Sequence, residues 1–211
     1  MSEAPPEPSR ETIHAQLSKA AYGKEDPAHG YQLDTELSNR DRKVYHKDGK
    51  AVVAYRGTNL SGSKDRFRDL AADGLIALGL TNASKRFKGA NDTADKALQK
   101  YGKENVSLTG HSLGGSQALH VAKKHKDLNL ETHAYNPGIS PVDVVRSKGI
   151  FHPKHLLKPM GGNDGFGSNT TIHAVRKDLV GALSPYLSGV KTKMYTARKG
   201  KGAHALANFG V

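Results

Sequence analysis

The stretch Val106-Ser107-Leu108-Thr109-Gly110-His111-Ser112-Leu113-Gly114-Gly115 carries the reading of this chain. Val106 to Thr109 reads as a short strand. Leu113 to Lys126, with Leu113, Ala118, Val121 and Ala122 as its apolar positions, reads as a helix. Between them stands the pattern G-x-S-x-G. The pattern alone is weak, but a strand–turn–helix context sets Ser112 on a strained elbow at the C-terminal edge of a sheet. Glycines are needed there because strand and helix backbones approach too closely for a Cβ. The helix start then aims its N–H groups and positive dipole end at the Ser112 side chain, where they stabilise a developing oxyanion. Ser112 is therefore the candidate nucleophile.

Working outward, the same alternation continues. Ile13, Leu17 and Ala21 recur every four residues and predict a helix from Glu11 to Ala21, capped by Ser9. Lys43 to His46 and Ala51 to Tyr55 predict two strands joined through Asp48-Gly49, a hairpin signal. Residues 82–101 predict a second helix with Phe87, Ala90, Ala94, Leu98 and Tyr101 on one face and Gly102 as its C-cap. Leu130 to Tyr135, Thr170 to Val175 and Lys193 to Ala197 predict further strands, and residues 137–169 form a long Gly- and Pro-rich section expected to hold short helices. Strands alternating with helices imply an α/β fold, a mostly parallel sheet with helices on both faces. Residues 1–9, with three prolines, are expected to be a disordered tail, and 10–211 a single domain.

Composition removes several chemistries. The 211 residues include no cysteine, which excludes disulfides, thiol nucleophiles and thiolate metal sites. The longest apolar stretch, Gly74 to Leu80, is far shorter than the roughly 20 residues of a membrane span. The polar, Pro-rich start has no apolar core of a secretory signal, so the expected location is cytoplasmic, virion-associated or reached by non-classical export. The formal charge is +12, split as −1 over residues 1–50 and +13 over 51–211. Such a body attracts polyanions, but no nucleic-acid-binding signature accompanies it, so an anionic membrane surface is the expected partner rather than nucleic acid. His152 with His155 and His120 with His125 lack a third ligand at metal spacing, so no metal and no cofactor are expected.

A serine nucleophile needs a base. On sheets with such an elbow, the partners follow in the order Ser, Asp or Glu, His. Asp127, Glu131, Asp143, Asp164 and Asp178 follow Ser112. Asp178 lies just past the C-terminal end of the strand Thr170 to Val175, where active-site groups of parallel sheets collect. Asp164 in Gly161-Gly162-Asn163-Asp164-Gly165 is the second candidate acid, read first as a turn residue. His204 is the one histidine beyond Asp178. The expected roles are attack by Ser112, proton uptake by His204, and orientation of the imidazole by Asp178. Thr58, in the loop after the strand Ala51 to Tyr55, can offer its N–H and hydroxyl to the oxyanion. Arg198, Lys199 and Lys201 form a basic cluster beside His204, suited to an anionic head group or simply to solvent.

Four blocks in order, Ala54-Tyr55-Arg56-Gly57-Thr58-Asn59, Arg68-Asp69-Leu70-Ala71-Ala72-Asp73, Leu108 to Gly115 and His133-Ala134-Tyr135-Asn136-Pro137-Gly138, together with His204-Ala205-Leu206-Ala207-Asn208-Phe209, resemble the class 3, fungal-lipase-like branch of the α/β-hydrolases. The resemblance implies that Ser112, Asp178 and His204 are the triad, that Thr58 with the Leu113 backbone forms the oxyanion hole, and that the substrates are carboxylic esters of acylglycerols or phospholipids. Leu60 to Thr81 then falls at the position of the family's lid, with a polar first half and an apolar second half, Leu75 to Leu80, expected to be a buried helix. The chain departs from secreted members in its compactness and its lack of cysteine. The alternative expectation is a catalytically idle hydrolase fold with a structural, polyanion-binding or membrane-binding role, for example in a virus particle.

Overall fold

The computed structural model describes residues 7–23, 26–58, 80–138, 167–176 and 190–211, with the side chains of 80–84 left aside. The expected tail falls largely outside these residues, as do the lid segment 60–79 and most of the section 137–169. Among the described residues the strands are β1 (Gln32–Leu33), β2 (Arg42–Lys47), β3 (Lys50–Tyr55), β4 (Val106–His111), β5 (Thr132–Tyr135), β6 (Thr170–Val175) and β7 (Lys191–Tyr195). The helices are α1 (Arg10–Ala20), α2 (Leu80–Tyr101) and α3 (Leu113–Lys124). The strands form one sheet in chain order. β1, β2 and β3 pair antiparallel, and β3 through β7 are parallel. The expected α/β-hydrolase fold, a mostly parallel sheet with helices on both faces, is the one observed.

Local chemistry explains the elements. Ser9 caps α1, its hydroxyl accepting from the Thr12 N–H at 3.2 Å. The β2–β3 hairpin closes with Lys47 opposite Lys50, and Asp48 and Gly49 both have positive φ, 48° and 76°. That is the backbone a two-residue primed turn demands. β7 runs two residues earlier than the sequence suggests. Its pairing follows β6, from Thr171 opposite Lys191 to Val175 opposite Tyr195, and stops where its partner strand stops. As an edge strand it carries Lys191 and Lys193, which discourage further pairing.

The two faces of the sheet are covered differently. Successive strand residues point to opposite sides. Ala51, Val53, Tyr55, Val106 and Leu108 meet Ala90, Ala94 and Ala97 of α2 and Ala118, Val121 and Ala122 of α3 in one apolar cluster. On the other face Val52 and Ala54 meet Leu17 and Ala20 of α1. Ala15 of α1 packs with Tyr135, Val175, Leu206 and Phe209, and α1 with Tyr22 just past its end also makes polar contacts with β4. His14 Nε2 lies 2.9 Å from Ser107 Oγ, Ser18 Oγ lies 2.8 Å from Thr109 Oγ1, and Tyr22 Oη lies 3.0 Å from His111 Nδ1. Four helical residues advance about 6.0 Å, and two strand residues about 6.6 Å. The i, i+4, i+8 positions of the helical segment therefore keep step with the i, i+2, i+4 positions of β4. The alternation of Val106-Ser107-Leu108-Thr109 does not mark a solvent-facing side, since every residue of β4 is buried.

Burial has an electrostatic consequence. His14 is held down to about 4 by its burial and by neighbouring His133. His173 is held to about 2 by burial, with His133 and Lys193 adding to the effect. Both rings are thus neutral in the fold, whereas an unfolded histidine takes up a proton near pH 6.5. Below that pH the unfolded state binds more protons than the folded one, so stability falls as pH falls, by up to about 1.4 kcal/mol per pH unit for each such histidine. Glu131, whose folded value lies near 2 despite partial burial because His133 and Arg10 bond to it, adds loss in the same direction only below about pH 4.5. Denaturant unfolding should give a plateau above pH 7 and a clear decline between pH 6.5 and 5. A flat profile across that window would show that these rings accept protons inside the fold.

Candidate active site

Ser112 occupies the elbow. Its φ of 58° and ψ of −128° lie in a region that non-glycine residues rarely adopt. The surrounding backbone holds it there. The Ser112 N–H donates to the Tyr135 carbonyl at 3.0 Å, and its own carbonyl accepts from Ser116 N–H at 3.1 Å and Gly138 N–H at 3.2 Å. The glycines have the reason expected of them. A Cβ on Gly114 would stand 1.9 Å from the Tyr55 carbonyl oxygen, and one on Gly110 would stand 2.3 Å from the Gly114 carbonyl. The start of α3 therefore rests directly on the end of β3. No side chain caps α3, so its first-turn N–H groups, Leu113's among them, have no intrahelical acceptor.

The loop after β3 arrives at the same place. A Cβ on Gly57 would stand 3.2 Å from the Ser112 Cβ and 2.6 Å from the His111 carbonyl. Thr58 follows immediately, and its Oγ1 is buried with no hydrogen-bond partner among the described residues. A buried hydroxyl left unpaired costs about 1–3 kcal/mol, which makes Thr58 Oγ1 a donor of interest beside Ser112.

His204 is brought to Ser112 through His111. The His204 carbonyl lies 2.7 Å from His111 Nε2, and the two rings lie 4.6 Å apart between centroids. A carbonyl only accepts, so Nε2 of His111 carries the proton. His111 is neutral, held down to about 3 by burial, with the nearby His204 adding to the effect. Its Nδ1 must then accept, from the Tyr22 hydroxyl at 3.0 Å. The Tyr22 oxygen in turn receives the Gly57 N–H, and burial lifts its hydroxyl to about 12, so it keeps its proton. One hydrogen-bonded chain thus runs from the Gly57–Thr58 loop through Tyr22 and His111 to the His204 loop. The neighbouring Ala203 carbonyl is fixed by Asn136 Nδ2 at 3.2 Å and Asn208 Nδ2 at 3.0 Å. Asn208 Oδ1 also accepts the Arg198 N–H at 2.8 Å.

The structure therefore gathers Ser112, the start of α3 at Leu113, Thr58 and His204 at the C-terminal edge of β3 and β4. Arg198, Lys199 and Lys201 are exposed on the loop that leads into His204. Asp178 and the second candidate acid, Asp164, lie outside the described residues. Sequence reasoning missed the roles of Gly57, Tyr22, His111, Asn136 and Asn208. His111 stood beside Ser112 in the motif and Asn136 ended a strand in a quoted block, but Tyr22 lies 89 residues from His111 and has no local signal. His120 and His125, set aside as metal ligands, are both half-buried, and His120 Nε2 lies 3.2 Å from Asn91 Nδ2 on α2.

Residues 49–138, which hold the Gly57–Thr58 loop and the whole elbow, match the family described as Lipase (class 3). The match covers less than half of the chain and marks a likeness to class 3 lipases over the elbow region. The fold is shared with solved structures. It superimposes on lipase II from Rhizopus niveus with a TM-score of 0.50 at 16% identity, over 92% of this chain and 81% of that one. A lipase from Yarrowia lipolytica gives a TM-score of 0.50 at 16% identity, over 94% and 81%. At that identity the likeness is one of fold. A GDSL esterase/lipase of Arabidopsis thaliana is 28% identical over 126 residues, 58% of this chain. The chain spans about a third, 35%, of the length of that curated relative.

The elbow gives a direct test of the packing. Gly114→Ala drives a methyl group into backbone rather than into a movable side chain, so it should destabilise the fold by about 3 kcal/mol, the upper end of overpacking costs. Gly202→Ala, with nothing among the described residues within 4 Å of its Cβ position, serves as the control. Equal unfolding midpoints for the two variants would show that the α3–β3 contact is not as close as described.

Proposed function

We propose that the protein is a serine carboxylic-ester hydrolase acting on lipid esters. The observation that carries the reading is the strained Ser112 elbow, with its Cβ beside the Gly57–Thr58 loop and the His204 loop tied to the residue that precedes it. In this reading Ser112 Oγ attacks the ester carbonyl while His204 takes its proton. The tetrahedral oxyanion is received by the Leu113 N–H and by Thr58, whose buried Oγ1 has no partner among the described residues. His204 returns the proton to the leaving alcohol, and an acyl-enzyme on Ser112 remains. His204 then draws a proton from water, which attacks the acyl group and frees Ser112. Asp178 is proposed to hold the imidazole tautomer and to balance imidazolium charge during both steps.

For the substrate we propose esters in anionic lipid surfaces, acylglycerol or phospholipid. The +13 charge of residues 51–211 and the exposed Arg198, Lys199 and Lys201 beside His204 support this.

A fluorophosphonate probe should label the wild type at Ser112. Ser112→Ala should lose the label and at least about a thousandfold of its nitrophenyl-ester hydrolysis. Equal hydrolysis by the two proteins would remove Ser112 as nucleophile, and absence of labelling in the wild type would favour a binding role for an idle fold. Hydrolysis of esters in anionic vesicles should exceed that in neutral ones at low ionic strength. The difference should collapse near 1 M salt, where the Debye length is about 3 Å. Identical rates on both surfaces at low salt would count against the anionic preference.

A further inference from the structure

At the opposite end of β4, about 17 Å from Ser112 along the strand, three metal-type donors converge. His14 comes from α1, and Glu131 and His133 come from the start of β5. One donor atom of each lies within 4.8 Å of the other two. Both histidines are buried, and their rings lie 4.6 Å apart. None of the three takes part in the proposed hydrolysis.

The hydrogen bonds around the cluster resemble the outer shell that orients metal-bound imidazoles, in which the far ring nitrogen donates to a carbonyl or is otherwise fixed. Nδ1 of His14 donates to the Arg10 carbonyl at 2.7 Å, which leaves Nε2 of that neutral ring with its lone pair. That lone pair faces only the Ser107 hydroxyl, a neutral group that can rotate away. His133 has a two-residue outer shell: its Nδ1 lies 3.0 Å from His173 Nε2, and His173 Nδ1 lies 2.9 Å from the Tyr195 hydroxyl. This chain works in two senses. With Nε2 of His133 donating to Glu131 Oε1 at 3.2 Å, Tyr195 donates to His173 and His173 to His133. With both ring protons moved, His133 donates to His173 and His173 to Tyr195, and Nε2 of His133 is freed as a ligand. No net proton is gained or lost between the two arrangements.

We propose that His14 Nε2, His133 Nε2 and a Glu131 carboxylate oxygen bind a divalent cation of the zinc type, which clamps α1 to β5. Two imidazoles and one carboxylate suit Zn²⁺ or Co²⁺ rather than Ca²⁺ or Mg²⁺, which prefer oxygen sets. Tetrahedral ligation at about 2.0–2.1 Å needs donors about 3.4 Å apart; His133 Nε2 and Glu131 Oε1 already stand 3.2 Å apart, and all three donors lie within 4.8 Å of one another. The fourth position belongs to Ser107 Oγ or to water. Entry is open: Ser107, Glu131 and Arg10 line a cleft of about 420 Å³, and His14 lines an adjoining one of about 270 Å³. Arg10 competes for Glu131, donating from Nε at 2.9 Å, but its side chain is 59% exposed and free to turn outward. The pair is two-pronged, since Arg10 Nη2 also bonds the second Glu131 oxygen, so it opposes metal uptake while it holds.

Arg10 gives the test its sign. Untagged full-length protein, stripped with chelator, is titrated with Zn²⁺ by calorimetry and with Co²⁺ by visible absorption. The wild type should bind one equivalent, with the absorption of a four-coordinate nitrogen–oxygen site. Glu131→Gln should weaken binding by about tenfold or more, and Arg10→Ala, which releases the carboxylate from its counter-charge, should tighten it. Circular dichroism confirms that each variant is folded. His14→Gln provides a second ligand variant with the same expectation as Glu131→Gln. No saturable uptake by the wild type, or uptake unchanged in Glu131→Gln and Arg10→Ala, would overturn the site and leave the cluster a hydrogen-bonded network.

Discussion

The contact between Gly114 and the Tyr55 carbonyl governs the rest of the molecule. It lets helix α3 begin directly against the end of β3, closer than any side chain permits. Because α3 begins there, the residue linking β4 to it has no room for an ordinary turn and takes a positive φ. The same closeness brings the Gly57–Thr58 loop against Ser112. The strain at Ser112 is offset by three backbone hydrogen bonds and by the apolar cluster under α3. A strained residue persists only where its surroundings over-determine it, and here they do.

Helix α1 supplies the second constraint. It lies along β4, and with Tyr22 just past its end presents three polar groups to that strand at matching intervals. Polar pairs inside a protein are costly when incomplete and specific when complete. Apolar contacts of Leu17 and Ala20 would tolerate a slip of the helix, whereas the His14–Ser107, Ser18–Thr109 and Tyr22–His111 pairs would all break together. α1 is therefore fixed in register as well as in position. Its two ends serve different places: Tyr22 lies at the elbow, and His14 lies at the far edge of the sheet.

The loop carrying His204 follows an edge strand and is anchored just beyond by Leu206 and Phe209, which pack with Ala15, Tyr135 and Val175. Its position comes also from carbonyl groups. Ala203 is held by Asn136 and Asn208, and His204 by His111. Neutral His111 can serve in this way because burial keeps a single proton on the ring and Tyr22 claims the other nitrogen. The neighbour of Ser112 is thus a positioning residue, reading the site's geometry from both sides.

Much of this was legible in the residues themselves. Gly110, Ser112, Gly114 and Gly115 between a strand and a helix specify the elbow, because backbone sterics there are local. Asp48-Gly49 specifies its hairpin for the same reason, and Ser9 its helix cap. The alternation of strands and helices specifies a parallel sheet. Other features depend on residues far apart in the chain. Where β7 begins is set by the length of β6. That the polar side of β4 is buried is set by α1. That Tyr22, His111 and His204 form one chain, and that His14 meets Glu131 and His133, is set by packing across the sheet. Sequence by itself determined what each short segment can do, since φ, ψ and side-chain period act over a few residues. Only the tertiary structure decided which polar groups find one another, since a hydrogen bond depends on distance in space and not on separation along the chain.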